Sequence, residues 1–327
     1  MGRRGVFFSM AALVFVLLLS LVISSSLRAP KIDTNLYSAK STGEVRERIE
    51  AVYFPLILRT VGTRTIIDIA SQAEANDEVL NLPDDFNTAM ESGTWGSNTV
   101  SYNTLNQELV AFQTLSDTTG TKITAMTVDP GSVDISQIGT FTAQVKAKIS
   151  YTLESPDGKV IYDRPSVEVI AEIPLQSVPD LYFDQQAIAA GVPNIPPRVF
   201  RAHLPKIWDN AEFNVAYSGG LYMLNKGYGG SVFDRLEGLN PANPSYGIET
   251  FVDSATILPT QTSIDREYFP ATVSLCTYSV LNPVTSVPYP NLQVSFTTLT
   301  EYRLLGSLKT GDAATCQVAP TSYPPLP

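Results

Sequence analysis

Apolar and polar residues alternate without a break through one stretch in the middle of the chain. Between Phe141 and Leu153 every second residue is apolar, and the residues between them are polar. Successive side chains of a strand point to opposite faces, so this period of two predicts one long antiparallel strand with a buried and a solvent-facing side. The turn 155–158 and residues 159–173 predict the return strand, broken at Pro165. Residues 121–129 predict a further strand of the same sheet.

Helical spacing of apolar residues precedes this sheet. Residues 44–75 predict a long helix that begins at a capping box of Ser41 and Glu44, bends at Pro55 and is interrupted near Gly62. A second helix is predicted over residues 103–115. Both helices are predicted from apolar residues at helical spacing, namely Val45, Ile49, Val52, Tyr53, Leu56, Leu105, Leu109, Phe112 and Leu115.

The first apolar run is the longest. From Gly5 to Leu27 the chain carries no charge, whereas Arg3 and Arg4 precede the run. At ~1.5 Å per residue a helix of this length crosses most of a ~30 Å hydrocarbon core, so the run predicts a membrane helix. The basic pair predicts that the N-terminus stays in the cytoplasm and that everything after Leu27 lies outside, so that the chain crosses the cell membrane once.

Three fates are open for this run. A retained signal anchor keeps the helix in the membrane. A cleaved secretory signal ends near Ser26, although the residues there match a small-residue cleavage site poorly. In the third, the chain is cut ahead of the helix, which stays on the mature protein.

The third fate follows from a resemblance. Residues 3–10, Arg-Arg-Gly-Val-Phe-Phe-Ser-Met, resemble the start of type IV pilin-like precursors of the archaeal kind. The resemblance implies cleavage between Gly5 and Val6 and self-assembly through the apolar helix as a filament core. The sequence departs from the bacterial pattern at Met10, where those members carry Glu.

These elements together predict an α+β fold. We expect an N-terminal transmembrane helix and a following helix, and then a β-rich exterior head built mainly of antiparallel sheet. The expected domains are residues 1–28 as anchor or leader, 29–118 as a helical layer or stalk, and 119–327 as the head. Residues 174–259 form a loop-rich insertion in the head.

Composition narrows the classes of function that the chain can have. The chain has 327 residues, 44% of them hydrophobic and 17% charged, which is typical of a globular protein. A formal net charge of −10 argues against a nucleic-acid partner, because there is no excess of Lys and Arg to neutralise phosphates. The two cysteines, Cys276 and Cys316, predict one disulfide bond in an exported protein.

Motifs for catalysis are weak. The only histidine, His203, lies in no recognisable nucleophile motif. The carboxylate pairs Asp84–Asp85 and Asp234–Glu237 have residue types suited to a hydrolase acting on sugars, but an acidic chain carries such pairs by chance. The sequence therefore predicts no catalytic residue, no metal site and no cofactor.

Three polar and aromatic segments stand out in the loop-rich region, namely 178–182, 230–238 and 245–251. They are similar to segments of membrane-anchored archaeal exterior proteins of pilin-like organisation. Gly238 is predicted to end a short helix, and Arg235 to pair with Glu237 or Glu249. If this region is instead a ligand face for a glycan or a protein, its aromatic residues are suited to stacking on sugars. These aromatics are Tyr182, Trp208, Tyr217, Tyr222 and Tyr228.

The sequence as a whole predicts a membrane-anchored extracytoplasmic protein with a structural or adhesive role and no enzyme activity. A filament subunit of the pilin-like kind is one form of this role. The alternative is a tethered ligand-binding module or a hydrolase. The expected partners are the membrane, further copies of the chain, and a surface protein or glycan.

Overall fold

The computed structural model describes residues 34–117, 122–155, 158, 161–183, 185, 198–201, 215–216, 219–225, 229–238, 244–250, 265, 274–279, 293–295 and 313–318. The chain divides into two compact units. The first unit comprises residues 1–59, 103–133 and 146–171, and the second comprises 60–102, 134–145 and 172–327.

A long helical segment precedes the sheet. It consists of α1 (Thr34–Arg48), a π-helical turn (Ile49–Tyr53) and α2 (Phe54–Asn76), and the residues at both junctions keep helical backbone angles. The helix thus begins well before Ser41, and the predicted capping box is wrong because Ser41 lies inside α1. A π-helical turn, Ile49–Tyr53, lies directly before α2, and Pro55, where the sequence predicts a bend, is the second residue of α2.

The predicted interruption at Gly62 is also wrong, because α2 runs through it. A Cβ atom at this position would lie 3.3 Å from Cγ2 of Val145 and 3.5 Å from Cγ2 of Ile173. Contacts of 3.0–3.4 Å are tighter than nine in ten real Cβ contacts. Glycine is therefore used here for close packing of the helix on strand residues.

Two further helices follow, α3 (Asp84–Ser92) and α4 (Leu105–Asp117). A short hairpin of β1 (Thr94–Trp95) and β2 (Asn98–Thr99) separates them. Thr104 and Gln107 cap α4, since the backbone N–H of each donates to the side chain of the other. The sequence prediction of a helix here is confirmed.

The main sheet has four strands: β3 (Lys122–Val128), β4 (Asp134–Gly139), β5 (Thr142–Glu154) and β6 (Ile161–Pro174). β5 is central, and β3, β4 and β6 all pair with it. Its buried side chains alternate with partly exposed or exposed ones along its length, which confirms the predicted period of two. The buried residues are Ala143, Val145, Ala147, Ile149, Tyr151 and Leu153.

In the first unit the core forms where the long helix meets β5 and α4. Phe54 is buried, and its ring centroid lies 5.2 Å from that of Tyr151 and 6.4 Å from that of Phe112. Both pairs are edge-to-face, an arrangement that aromatic rings favour.

Two small antiparallel sheets belong to the second unit. One pairs β7 (Tyr222–Leu224) with β8 (Ile248–Thr250), and the short helix α5 (Val232–Glu237) lies between these strands in the sequence. The other places β9 (Ser274–Ser279) between β10 (Gln293–Ser295) and β11 (Ala313–Val318). The fold is α+β with antiparallel sheets, as the sequence predicts.

The membrane part of the predicted fold class is not supported. Of the helices in the described part of the chain, none combines the length and the apolar character needed to cross a bilayer. The long helix carries charged residues along its exposed side, such as Glu44, Arg48 and Arg59. The predicted transmembrane residues, within 1–28, lie outside the described residues. The single-pass location in the cell membrane has no support from the structure either.

The expected disulfide bond is likewise not supported, because none is found among the described residues. Cys276 on β9 and Cys316 on β11 are register partners in the antiparallel ladder. Backbone pairing therefore joins these two segments.

Candidate functional site

Among the described residues, a cluster of buried charges lies in the second unit. Arg235, Asp180 and Asp265 have side chains that are 0% exposed. We call these three residues the buried ion cluster. The Arg235 guanidinium donates from Nη2 to Asp180 Oδ2 at 2.6 Å and from Nε to both Asp180 oxygens at 3.2 Å. Its Nη1 donates to Asp265 Oδ1.

Neighbouring groups complete the hydrogen bonding of the carboxylates. The Tyr222 hydroxyl donates to Asp180 Oδ2 at 2.5 Å. The Thr250 backbone N–H donates to Asp265 Oδ2 at 2.6 Å, and its hydroxyl donates to Asp265 Oδ1 at 3.1 Å. Burying a charge is tolerated only when it is paired and hydrogen bonded, and both conditions are met here.

Local structure explains why these side chains converge. α5 begins with a capping box, in which Ser231 Oγ accepts from Asp234 N–H and Asp234 Oδ2 accepts from Ser231 N–H. It ends at Gly238, whose φ of +64° confirms the predicted glycine C-cap. Tyr222 and Thr250 are register partners in the β7–β8 pair, so both reach the same point of the cluster.

The electrostatics follow from burial and pairing. Burial opposes the charge of Arg235, but the carboxylates of Asp180 and Asp265 outweigh it and hold the pKa of Arg235 well above its usual value. Burial raises the pKa of Asp265, an effect that the Arg235 charge only partly offsets. Burial and the nearby Asp180 charge raise the pKa of Tyr222 well above its usual value. The cluster thus consists of a fixed cation between two acids, one of which resists ionisation.

A further buried carboxylate lies on β8. Glu249 is 0% exposed and accepts hydrogen bonds from Asn225 Nδ2 at 2.9 Å, Ser295 Oγ at 2.8 Å and Ser295 N–H at 2.6 Å. Residues separated by up to 70 positions in sequence meet here. Together with the buried ion cluster, these bonds fasten several short segments of the second unit to one another.

The predicted pairing of Arg235 with Glu237 or Glu249 is wrong, since the partners are Asp180 and Asp265. The predicted segments 178–182, 230–238 and 245–251 do come together, because they supply Asp180, Arg235 and Thr250. Asp265 was missed. The residues around it show no periodic pattern, and only the three-dimensional pairing identifies it.

The predicted aromatics have the following placement. Tyr182 is 3% and Tyr222 0% exposed, and their ring centroids lie 5.1 Å and 5.6 Å from Cζ of Arg235. The two rings therefore flank a buried cation and do not face solvent. Trp208, Tyr217 and Tyr228 lie outside the described residues, as do Gly5 and Val6 at the expected cleavage point.

Three of the four carboxylates in the predicted pairs lie in the first turns of helices. Asp84 and Asp85 lie in the first turn of α3, where Asp85 accepts from the Asn81 backbone N–H. Asp234 caps α5. Glu237 is partly exposed, and burial raises its pKa to about 7. No group of His, Cys, Asp and Glu suited to a metal ion is found within the described part of the chain.

A second feature lies on the surface of the first unit. Along the long helix, Val52 is 54% and Leu56 55% exposed, and Glu44, Arg48 and Arg59 are exposed on either side of them in sequence. We call these five residues the exposed helix face. A shallow open groove of about 280 Å³ on it is lined by Glu44, Glu47, Arg48, Ala51 and Val52.

The comparisons with known proteins give no further guide. No family model matches the chain, and no curated protein or solved structure matches it.

Proposed function

We propose that this protein is a structural subunit that acts by associating with further copies of itself. The observation that carries the proposal is the exposed helix face. It places two large apolar side chains, Val52 and Leu56, in solvent on a helix that is otherwise charged there. Removing apolar surface from water favours association, and this gain is opposed by the translational and rotational freedom that the subunits lose.

The second unit supports the same role. The charged groups of the buried ion cluster and of Glu249 lie inside this unit. Their hydrogen bonds join segments that are distant in sequence. Enclosed networks of this kind stiffen a fold, and each charged group of the buried ion cluster is hydrogen bonded. A stiff subunit loses less conformational entropy on assembly than a flexible one.

The start of the chain adds a separate argument. Residues 3–10 resemble the start of pilin-like precursors, whose subunits assemble through the apolar helix that follows. Cleavage between Gly5 and Val6 would leave that apolar run on the mature subunit. A filament is therefore one form that the proposed assembly takes.

The alternative of a ligand-binding face receives less support. Two of its five aromatic residues, Tyr182 and Tyr222, are buried against Arg235. Neither can stack on a sugar without dismantling the buried ion cluster.

Sedimentation velocity of the full chain over a hundredfold range of concentration tests the proposed function. We expect species larger than the monomer whose share rises with concentration and falls again on dilution, because specific association is reversible. Monomer at every concentration would contradict the proposal. Large species that persist after dilution would also contradict it, since they indicate aggregation.

A further inference from the structure

We infer that the exposed helix face binds the same face of a second copy, with the two helices antiparallel and related by a two-fold axis near Val52. The inference rests on the proposed function in that both require self-association. It goes further by naming the surface, the partner and the relative direction of the helices.

The row of exposed residues is straight because of the π-helical turn. Residues spaced by four drift around an α-helix by about 40° per step, since a turn holds 3.6 residues. Glu44, Arg48, Val52 and Leu56 are spaced in this way, and the turn Ile49–Tyr53 lies in the middle of the row. A π-helical turn is wider, with more residues per turn, so it reduces the rotation between residues spaced by four. The apolar side chains thus stay in line with the charged ones before and after them.

The charges select the direction of the second helix. The face carries Glu44 at its start and Arg59 at its end, and Arg48 lies between them. In a parallel pair in register, Glu44 would face Glu44 and Arg59 would face Arg59, and like charges repel. In an antiparallel pair centred near Val52, Glu44 of each copy lies opposite Arg59 of the other. Opposite charges then meet at both ends of the contact.

The groove fits the same arrangement. Leu56 and Arg48 are equally far from Val52 in sequence, so the two-fold axis places Leu56 of one copy opposite Arg48 of the other. Arg48 lines the groove together with Ala51 and Val52. The exposed Leu56 side chain therefore enters the groove of the second copy, as a knob enters a hole in paired helices. A parallel chain shifted to bring Arg59 to Glu44 would separate Val52 and Leu56 of one copy from Val52 and Leu56 of the other by 15 positions.

The contact is small, and both copies contribute the same surface to it. A single helix face lies at the low end of interface sizes, so we expect a weak association that strengthens when subunits are held together by other contacts. An isologous contact yields pairs, so any larger assembly needs a second contact elsewhere on the chain.

Zero-length carbodiimide cross-linking of the full-length Arg59→Lys variant tests the inference. The reagent joins an amine to a carboxylate in contact with it. Positions 44 and 59 of one helix lie ~22 Å apart at ~1.5 Å per residue, so a bond between them has to join two copies. We expect a cross-linked peptide that contains Glu44 and the introduced lysine, identified by mass spectrometry. Mixing labelled and unlabelled chains confirms that two copies contribute.

Matched variants show whether the cross-link depends on the apolar residue at the centre of the exposed helix face. Adding Val52→Glu to Arg59→Lys is expected to lower the cross-link yield at least tenfold, because it places two carboxylates at the two-fold axis. Val110 is equally exposed, at 55%, and lies on another helix of the same unit. Val110→Glu is therefore expected to leave the yield unchanged. Adding Glu44→Gln is expected to abolish the cross-link, since it removes the reacting carboxylate.

The outcomes separate this inference from the proposed function. If the full chain associates on sedimentation but the cross-link between positions 44 and 59 is absent, or Val52→Glu does not reduce it, the two-fold helix contact is wrong and the proposed function stands. If the full chain stays monomeric, both are wrong. A cross-link with the expected response to both glutamate variants supports both.

Discussion

The residue whose environment is most demanding is Arg235. Its guanidinium is 0% exposed and lies between two carboxylates that are equally enclosed. Water cannot solvate any of these charges, so each depends on the others. Removing one member leaves the remaining charges buried without compensation.

We therefore predict that Arg235→Met destabilises the second unit by roughly 3–5 kcal/mol, because two buried acids lose their cation. Urea denaturation followed by circular dichroism measures the loss. The matched control is Arg201→Met, at an exposed arginine of the same unit, for which we expect a change within about 0.5 kcal/mol. Equal effects of the two substitutions would show that the cluster does not hold the fold together.

A second residue-level prediction concerns pH. Burial raises the pKa of Glu237 to about 7, so the folded state holds this proton more tightly than the unfolded state does. The stability that protonated Glu237 contributes is fully present below the usual carboxyl pKa. It is lost as the pH rises through about 7. Glu237→Gln removes this loss, so at pH 8 the variant should be more stable than the wild type by on the order of 1 kcal/mol, after allowance for solvent screening.

The two proteins should differ less in stability at pH 4 than at pH 8. Thermal unfolding across this range measures the difference, and Glu78→Gln, at an exposed glutamate, is the control. A stability difference between Glu237→Gln and the wild type that does not vary with pH would contradict the assignment.

At the scale of elements, alternation was the most reliable guide. The period of two between Phe141 and Leu153 predicted β5, since one face of that strand is buried along its whole length. Proline and glycine were poorer guides, because their effect depends on neighbours that the local sequence does not show. β6 continues through Pro165, and the next N–H, of Ser166, donates to the Ser150 hydroxyl at 2.9 Å.

Gly62 gives the element-scale prediction. Gly62→Leu should destabilise the protein by roughly 1–3 kcal/mol, because the larger side chain is forced against Val145 and Ile173. Gly43→Ala is the contrasting variant, since a Cβ there lies at an ordinary 3.7 Å from the Tyr162 hydroxyl. It should stabilise α1 by up to about 1 kcal/mol through higher helix propensity. Differential scanning calorimetry would show opposite shifts of Tm, and a shared direction would contradict the packing explanation.

At the scale of the whole molecule, the sequence predicted the α+β class but not the buried ion cluster. Asp180 and Arg235 lie 55 positions apart, and Asp265 follows after another 30. Local pattern carries no information about such pairs, because each residue alone looks like an ordinary charged loop residue. The exposed helix face was missed for a related reason: Val52 and Leu56 fit the helical spacing of a core, and only the folded chain shows them in solvent.

The central claim is that copies of this chain associate through that face. The most direct measurement is the weight-average mass of the full chain and of its Val52→Glu variant at one matched high concentration, by light scattering. The account predicts a wild-type mass above the 35.5 kDa of one chain and a lower mass for the variant. A mass of 35.5 kDa for both, or the same larger mass for both, would contradict it.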